Sequence, residues 1–257
     1  MIEPTTSRTL TGIPCLSNEA LDDYAESLVR DFAPERLASP GALEITRFVE
    51  EYLGLKVLYA HLCYENKTIG ITAFHDDYIK ILDINSGMVI MSEVKQGTVV
   101  IDKSLIAKRN LRRCRFTLGH EGAHWLLHRK AIINDSFVSR TYTDWHGKIA
   151  AKIGRIDYSR NLRDDTDESR IERQADFLSS AILMPRPALR IAYRDFFKAT
   201  REKPRVLTRG KDKPDDLTAK NLATYMSDMF NVSHRAAMIR LEKLNAVEYH
   251  GSRRQHE

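Results

Sequence analysis

Two histidines flank a glutamate in the stretch Phe116-Thr117-Leu118-Gly119-His120-Glu121-Gly122-Ala123-His124-Trp125. On a helix, positions four apart differ by about 40° in direction and about 6 Å in height, so His120 and His124 aim at one point. Imidazoles at that spacing are ligands for a divalent cation, with zinc the first choice and manganese admitted by the same donors. Glu121 turns far enough away to miss the metal but can reach a water held there. Zinc lowers such a water's pKa to about 7, and a carboxylate then takes its proton as the oxygen attacks a carbonyl. The chemistry is metal-assisted hydrolysis, with Glu121 as general base. Gly122 and Ala123 keep the helix surface small beside it.

A catalytic zinc site needs a third protein ligand. His128 is eight residues from His120, about 12 Å along the axis, which is too far to share an ion on a continuous helix. Motifs that recruit a third histidine turn the chain at a glycine first, and none intervenes here. A packing or helix-end role suits His128 better. The better source is Ile171-Glu172-Arg173-Gln174-Ala175-Asp176-Phe177, where Glu172 and Asp176 lie four apart and face the same way on an expected helix. One carboxylate would complete the ligand shell. The other would accept the remaining ring N–H of a ligating histidine and fix its tautomer. Alone, such a pair is usually a solvated acidic face; downstream of H-E-x-x-H the site reading prevails.

The elements that carry these residues are legible as pattern. Ser17 or Asn18 can cap a first helix with apolar positions Leu21, Tyr24, Ala25 and Leu28, interrupted by Pro34. Ser39-Pro40 offers a second start, followed by Ile45, Phe48, Val49 and Leu53, with Gly54 as the stop. The period then changes. Residues 57–60, 68–72, 78–82 and 98–101 are short β-rich runs separated by turn formers such as Asn85-Ser86-Gly87. They predict a small, largely antiparallel sheet feeding a helix over about 111–128. Residues 129–167 read as polar and irregular. Helices are expected near 168–183 and 186–198, then a basic stretch over 200–214, then two more helices over 216–245. The fold class is α+β.

Composition narrows the function classes. The chain has 257 residues, 42% hydrophobic and 29% charged, which excludes wholesale disorder. No apolar run approaches the roughly 20 residues of a membrane span, and no secretory leader is visible, so a cytoplasmic protein is expected. Three widely spaced cysteines, Cys15, Cys63 and Cys114, make neither a disulfide framework nor a thiolate metal site. Residues 1–100 carry 8 Lys/Arg against 15 Asp/Glu, and residues 101–257 carry 32 against 20. That asymmetry admits nucleic acid as a partner but does not favour it.

Three blocks resemble the ImmA/IrrE family of bacterial metallo-endopeptidases. Gly97-Thr98-Val99-Val100-Ile101-Asp102 is similar to the strand ahead of the family's zinc helix. Arg115-Phe116-Thr117-Leu118 running into His120-Glu121-Gly122-Ala123-His124 resembles its "RFTLAHELGH" core, with Gly-Ala in place of the common Leu-Gly. Glu172 to Phe177, with Leu183-Met184-Pro185, resembles its "E-x-x-A-N-x-F-A-x-x-L-L-M-P" block. The resemblance spans roughly residues 20–245. It implies His120, His124 and Glu172 as zinc ligands and Glu121 as general base. Asp176 stands where many members have asparagine, so its hold on a ligand is inferred from helix geometry. The stretch between His124 and Glu172 is longer than in compact members. Tyr142, His146 and Tyr158 within it are guesses for an oxyanion donor. The family implies a switch protease that cuts a helix-turn-helix repressor, encoded nearby, and so releases mobile-element or stress-response genes.

The division expected is a tail over 1–16, a metallopeptidase domain over 17–198, a basic linker or loop over 199–215, a helix-turn-helix-like segment over 216–247 and a tail over 248–257. In that segment Leu222, Met226 and Met229 form one stripe, Phe230-Asn231-Val232 the turn, and Ser233 a cap for a helix with Ala237, Leu241 and Leu244. Arg235, Arg240 and Lys243 are the candidate phosphate contacts if it binds DNA, although structural packing suits it better. The alternative to a protease is a non-proteolytic transcriptional regulator that binds DNA or a repressor with the same fold. A third reading is one half of a paired operon system. The intact Glu121 speaks against the regulator, because a purely structural metal site needs no general base.

Overall fold

The computed structural model describes residues 6–64, 68–133, 148–152, 166–210 and 213–249, the side chains of 148–152 aside. It confirms an α+β fold. Helix α1, Asn18–Phe32, is capped by the Ser17 hydroxyl, which accepts the Ala20 N–H at 3.1 Å. Its stripe Leu21, Tyr24, Ala25 and Leu28 is buried as the spacing predicts. Ser39-Pro40 does not start the next long helix. Only a short turn, α2 (Glu35–Ala38), precedes it, and the chain runs irregularly through Gly41, a poor helix former, to α3 at Ile45–Arg47. There the backbone widens into a π turn over Phe48–Tyr52. Gly54, at φ 69°, ends the segment as expected.

Strands β1 (Lys56–Ala60), β2 (Thr68–Ala73), β3 (Asp77–Asp83), β4 (Met88–Val94) and β5 (Thr98–Asp102) follow. After them come helix α4, Leu111–Ile133, and strand β6, Lys148–Lys152. The main sheet has the order β1-β5-β2-β6. Its β1/β5 pair is parallel, with Val57 opposite Val99, and the other two pairs are antiparallel. Two findings differ from the sequence reading. Met88–Val94 is a strand paired with β3 as a separate hairpin, with Asp83 opposite Met88. Within the stretch read as irregular, α4 runs on to Ile133 and β6 pairs with β2. Lys-Ile-Ala-Ala-Lys has weak strand propensity, and the open edge of β2 supplies what propensity does not. Every residue of β2 is buried, because α4 packs on it as well as two flanking strands.

Helices α5 (Asp167–Leu183) and α6 (Arg186–Thr200) match their predicted spans and meet at Met184-Pro185. Strand β7 (Leu207–Arg209), helices α7 (Asp216–Phe230) and α8 (His234–Lys243) and strand β8 (Val247–Tyr249) complete the chain. Two helices occupy the span where two were expected, over 216–245: Asn231 caps α7 in the left-handed region, and the Ser233 hydroxyl accepts the Ala236 N–H.

The chain forms two compact units, Met1–Tyr24 with Glu44–Ser179, and Ala25–Leu43 with Ser180–Glu257. The expected boundaries are therefore displaced. Residues 25–43 and 180–198 group with the C-terminal helices, because α2 and α7 both pack on α6. The basic stretch is no free linker, since Leu207 is buried and β7 pairs with β8. Nor are residues 6–16 a loose tail. Arg8 bridges Pro14, and Ile13 is buried among Phe74, Ala131, Ile132 and Ile171. Among the described residues, no helix is long and apolar enough to cross a membrane. Cys15, Cys63 and Cys114 are all unbridged.

Candidate metal centre

Helix α4 stays helical through the H-E-x-x-H segment, and α5 brings the carboxylates to it. His120 Nε2 and His124 Nε2 lie 2.8 Å apart. Glu172 places Oε2 3.4 Å from His120 Nε2 and Oε1 3.6 Å from His124 Nε2. Ligand atoms around one tetrahedral zinc stand about 3.3 Å from each other, so the three observed edges bracket that value. Among the described residues, these three are the group whose donor atoms converge as a metal needs. The donor set, two imidazoles and one carboxylate, fits a divalent cation. Burial grades across it: His124 is 0% exposed, and the Glu172 side chain is 46% exposed. A centre open on one side is what catalysis requires, whereas structural sites are closed.

The surroundings differ at each histidine. Asp176 Oδ1 lies 2.9 Å from His120 Nδ1, the second carboxylate contact predicted for one member of the Glu172/Asp176 pair. Burial opposes a charged His120, yet hydrogen bonds and charge from Asp176 and Glu172 outweigh it and hold its pKa well above the ordinary value. His124 goes the other way. Burial, reinforced by His120 and His128, pushes it well down. Burial likewise takes His128 down to about 4, against the opposing Gln174 hydrogen bond. His128 is 0% exposed and lies outside the three-donor group.

Glu121 is completely buried against β2, where the Thr72 hydroxyl donates to its Oε2 at 2.6 Å. The approach is close enough that a Cβ at Gly70 would fall 2.6 Å from Glu121 Oε1 and 2.7 Å from Thr117 Cγ2. Neighbouring glycines are constrained in the same way. A Cβ at Gly122 would sit 3.1 Å from Leu53 beside the π turn, and one at Gly119 would sit 2.6 Å from the Ser179 hydroxyl. The small surface expected of Gly122-Ala123 is thus a packing requirement. Gly70 and Thr72 were not singled out from sequence. A glycine inside the strand pattern Thr68-Ile69-Gly70-Ile71-Thr72 is the available signal, since such a glycine marks close backbone approach.

The family model of the IrrE N-terminal-like domain, Peptidase M78, matches residues 92–242, more than half of the chain. The chain belongs to this metallopeptidase family. The match takes in α4, α5 and the whole three-donor group of the M78 peptidase, as the resemblance of its motifs implied. No curated protein matches the peptidase.

The remaining candidates are placed as follows. Tyr142, His146 and Tyr158 lie outside the described residues. Arg235 and Lys243 are exposed on α8. Arg240 is corrected: it is 1% exposed and its Nε–H donates to the Met184 carbonyl, so it braces the peptidase's second unit and offers no surface to a phosphate.

Proposed function

We propose that this M78 metallopeptidase is a zinc-dependent endopeptidase that cuts a helix-turn-helix transcriptional repressor at one site. The observation that carries the peptidase chemistry is the convergence of the His120, His124 and Glu172 donor atoms, with Glu121 next to His120 in the chain and its carboxylate held by Thr72. A bound zinc or manganese would be held by His120, His124 and Glu172, with Asp176 bracing His120. The metal supplies Lewis-acid chemistry there. Glu121 accepts one proton from the attacking water as the water oxygen bonds to the scissile carbonyl carbon. The C–N bond then breaks, and Glu121 returns that proton to the departing amine nitrogen. The Thr72 hydroxyl, donating to Oε2, holds the Glu121 carboxylate in place.

The repressor as substrate follows from the family resemblance of the zinc-helix and Glu172 blocks, and the cytoplasm is where such a substrate resides. The test is incubation of the zinc-loaded chain with the helix-turn-helix protein encoded beside its gene, followed by intact-mass analysis. One new pair of termini from the wild type, and none from Glu121→Gln, supports the reading. Metal-loaded wild type that leaves that repressor whole, while binding it or its operator, favours the non-proteolytic regulator instead.

A further inference from the structure

Three buried residues next to the metal centre have no part in the chemistry so far. His128 lies one helical turn beyond His124 on α4, and their Nδ1 atoms are 3.1 Å apart. His128 Nε2 is 3.1 Å from Gln174 Oε1 on α5. The Gln174 amide in turn donates Nε2–H to the Pro14 carbonyl at 2.6 Å. His128 is 0% and Gln174 5% exposed. Pro14 is buried in the Arg8 bridge, beside Ile13 of the core cluster.

Counting hydrogens gives this chain of contacts a direction. A neutral imidazole has one N–H and one lone pair, whereas a glutamine amide has a donating end and an accepting end. The Pro14 carbonyl can only accept. It therefore takes the NH2 end of Gln174 and leaves Oε1 facing His128. An accepting Oε1 requires the hydrogen of His128 on Nε2, which makes His128 Nδ1 the lone pair. That lone pair requires the hydrogen of His124 on Nδ1. His124 is then left with a free lone pair on Nε2, the atom that faces His120 and Glu172. The reverse order would set two oxygens against each other at Pro14.

We propose that His128 and Gln174 are positioning residues, which hold His124 in the tautomer that offers Nε2 to the metal, with the direction of the chain set by the Pro14 carbonyl. This rests on the metal-centre reading above. The two ligand histidines are thus oriented by different means: His120 by the Asp176 carboxylate, and His124 by an uncharged relay that ends on the N-terminal segment. Outer partners of this kind change metal affinity by about 10–100-fold when removed.

The test uses the full-length chain and needs no substrate. Zinc affinity is measured by chelator competition for wild type, His128→Leu and His128→Asn. Imidazole tautomers are read from two-bond nitrogen–proton spectra of the zinc-loaded protein. His128→Leu fills the space without an acceptor and is expected to lose about 10–100-fold in affinity. His128→Asn places Oδ1 near the position of Nδ1 and is expected to recover most of that loss. The spectra are expected to show His124 protonated on Nδ1 and His128 on Nε2. Gln174→Leu, which removes both the acceptor facing His128 and the donor to the Pro14 carbonyl, is expected to weaken binding as well. A purely structural His128 predicts equal affinity for Leu and wild type, and that result overturns the proposal. So does a His128 tautomer protonated on Nδ1. Wild type that takes up no zinc at all sinks the metal-centre reading itself, a failure distinct from a relay that is merely silent.

Discussion

Replacing Thr72 by valine removes one oxygen from the buried face between β2 and α4 and nearly preserves shape. That hydroxyl donates to Glu121 Oε2 at 2.6 Å, and both residues are 0% exposed. A hydrogen bond to a charged group contributes about 1.5–3 kcal/mol, and leaving a buried charged acceptor short of a donor incurs its desolvation penalty. With no solvent exposure at either residue, the upper half of that range applies, about 2–3 kcal/mol. Thr72→Ser is the control. It keeps the donor and loses one methyl, for about 1 kcal/mol. The assay is equilibrium urea unfolding in metal-free buffer, followed by tryptophan fluorescence, since Trp125 stacks on Phe74 at 5.7 Å in the same unit. Hydrolysis is then compared on the zinc-loaded variants, where a mis-set carboxylate is expected to lower kcat by about 10–100-fold in Thr72→Val. A valine variant within about 0.5 kcal/mol of wild type, or a serine variant less stable than the valine one, refutes the reasoning.

Gly70→Ala forces a Cβ to 2.6 Å from the Glu121 carboxylate, so a loss of about 1–3 kcal/mol from overpacking is expected; an unchanged thermal midpoint contradicts the close approach. Arg240→Met removes the buried donor to the Met184 carbonyl and is expected to destabilise by about 1–3 kcal/mol. Arg235→Ala and Lys243→Ala, both on the exposed side of α8, should stay within about 0.5 kcal/mol, and chemical denaturation of the three variants checks the ranking. Chelation should lower the melting temperature of the wild type. Zinc restored to 100 times its dissociation constant should return about 2.7 kcal/mol, and calorimetry on Glu172→Ala should show a much smaller return.

Features set by neighbouring residues in the chain were legible in the sequence. The imidazole pair, the Glu172/Asp176 pair, the Ser17 and Ser233 caps and the break at Met184-Pro185 all depend on helix period or on capping. Features set by partners far along the chain were not. Lys148–Lys152 becomes a strand because β2 offers it an edge, and the run Met88–Met91 becomes one because β3 pairs with it. Ile13 is buried by Phe74 and Ile171, residues that no local pattern connects to it. The centre divides in the same way. Its ligands repeat at helical spacing, whereas the Thr72 contact to Glu121 and the Gln174 contact to His128 each bridge about fifty residues of chain. Arg240 shows the opposite failure: its charge suggested a phosphate, and tertiary burial turned it to the Met184 carbonyl.

The central claim is that His120, His124 and Glu172 together hold one metal ion, and that Glu121 works beside it without holding it. Elemental analysis of the freshly purified, unchelated chain and of single variants tests this most directly, with peptide hydrolysis measured on the same samples. One metal per chain is expected in the wild type and in Glu121→Gln, with hydrolysis lost only in the latter. His120→Ala, His124→Ala and Glu172→Ala are each expected to lose the metal and the activity together. Full metal in any of those three, or loss of the metal from Glu121→Gln, would contradict the account.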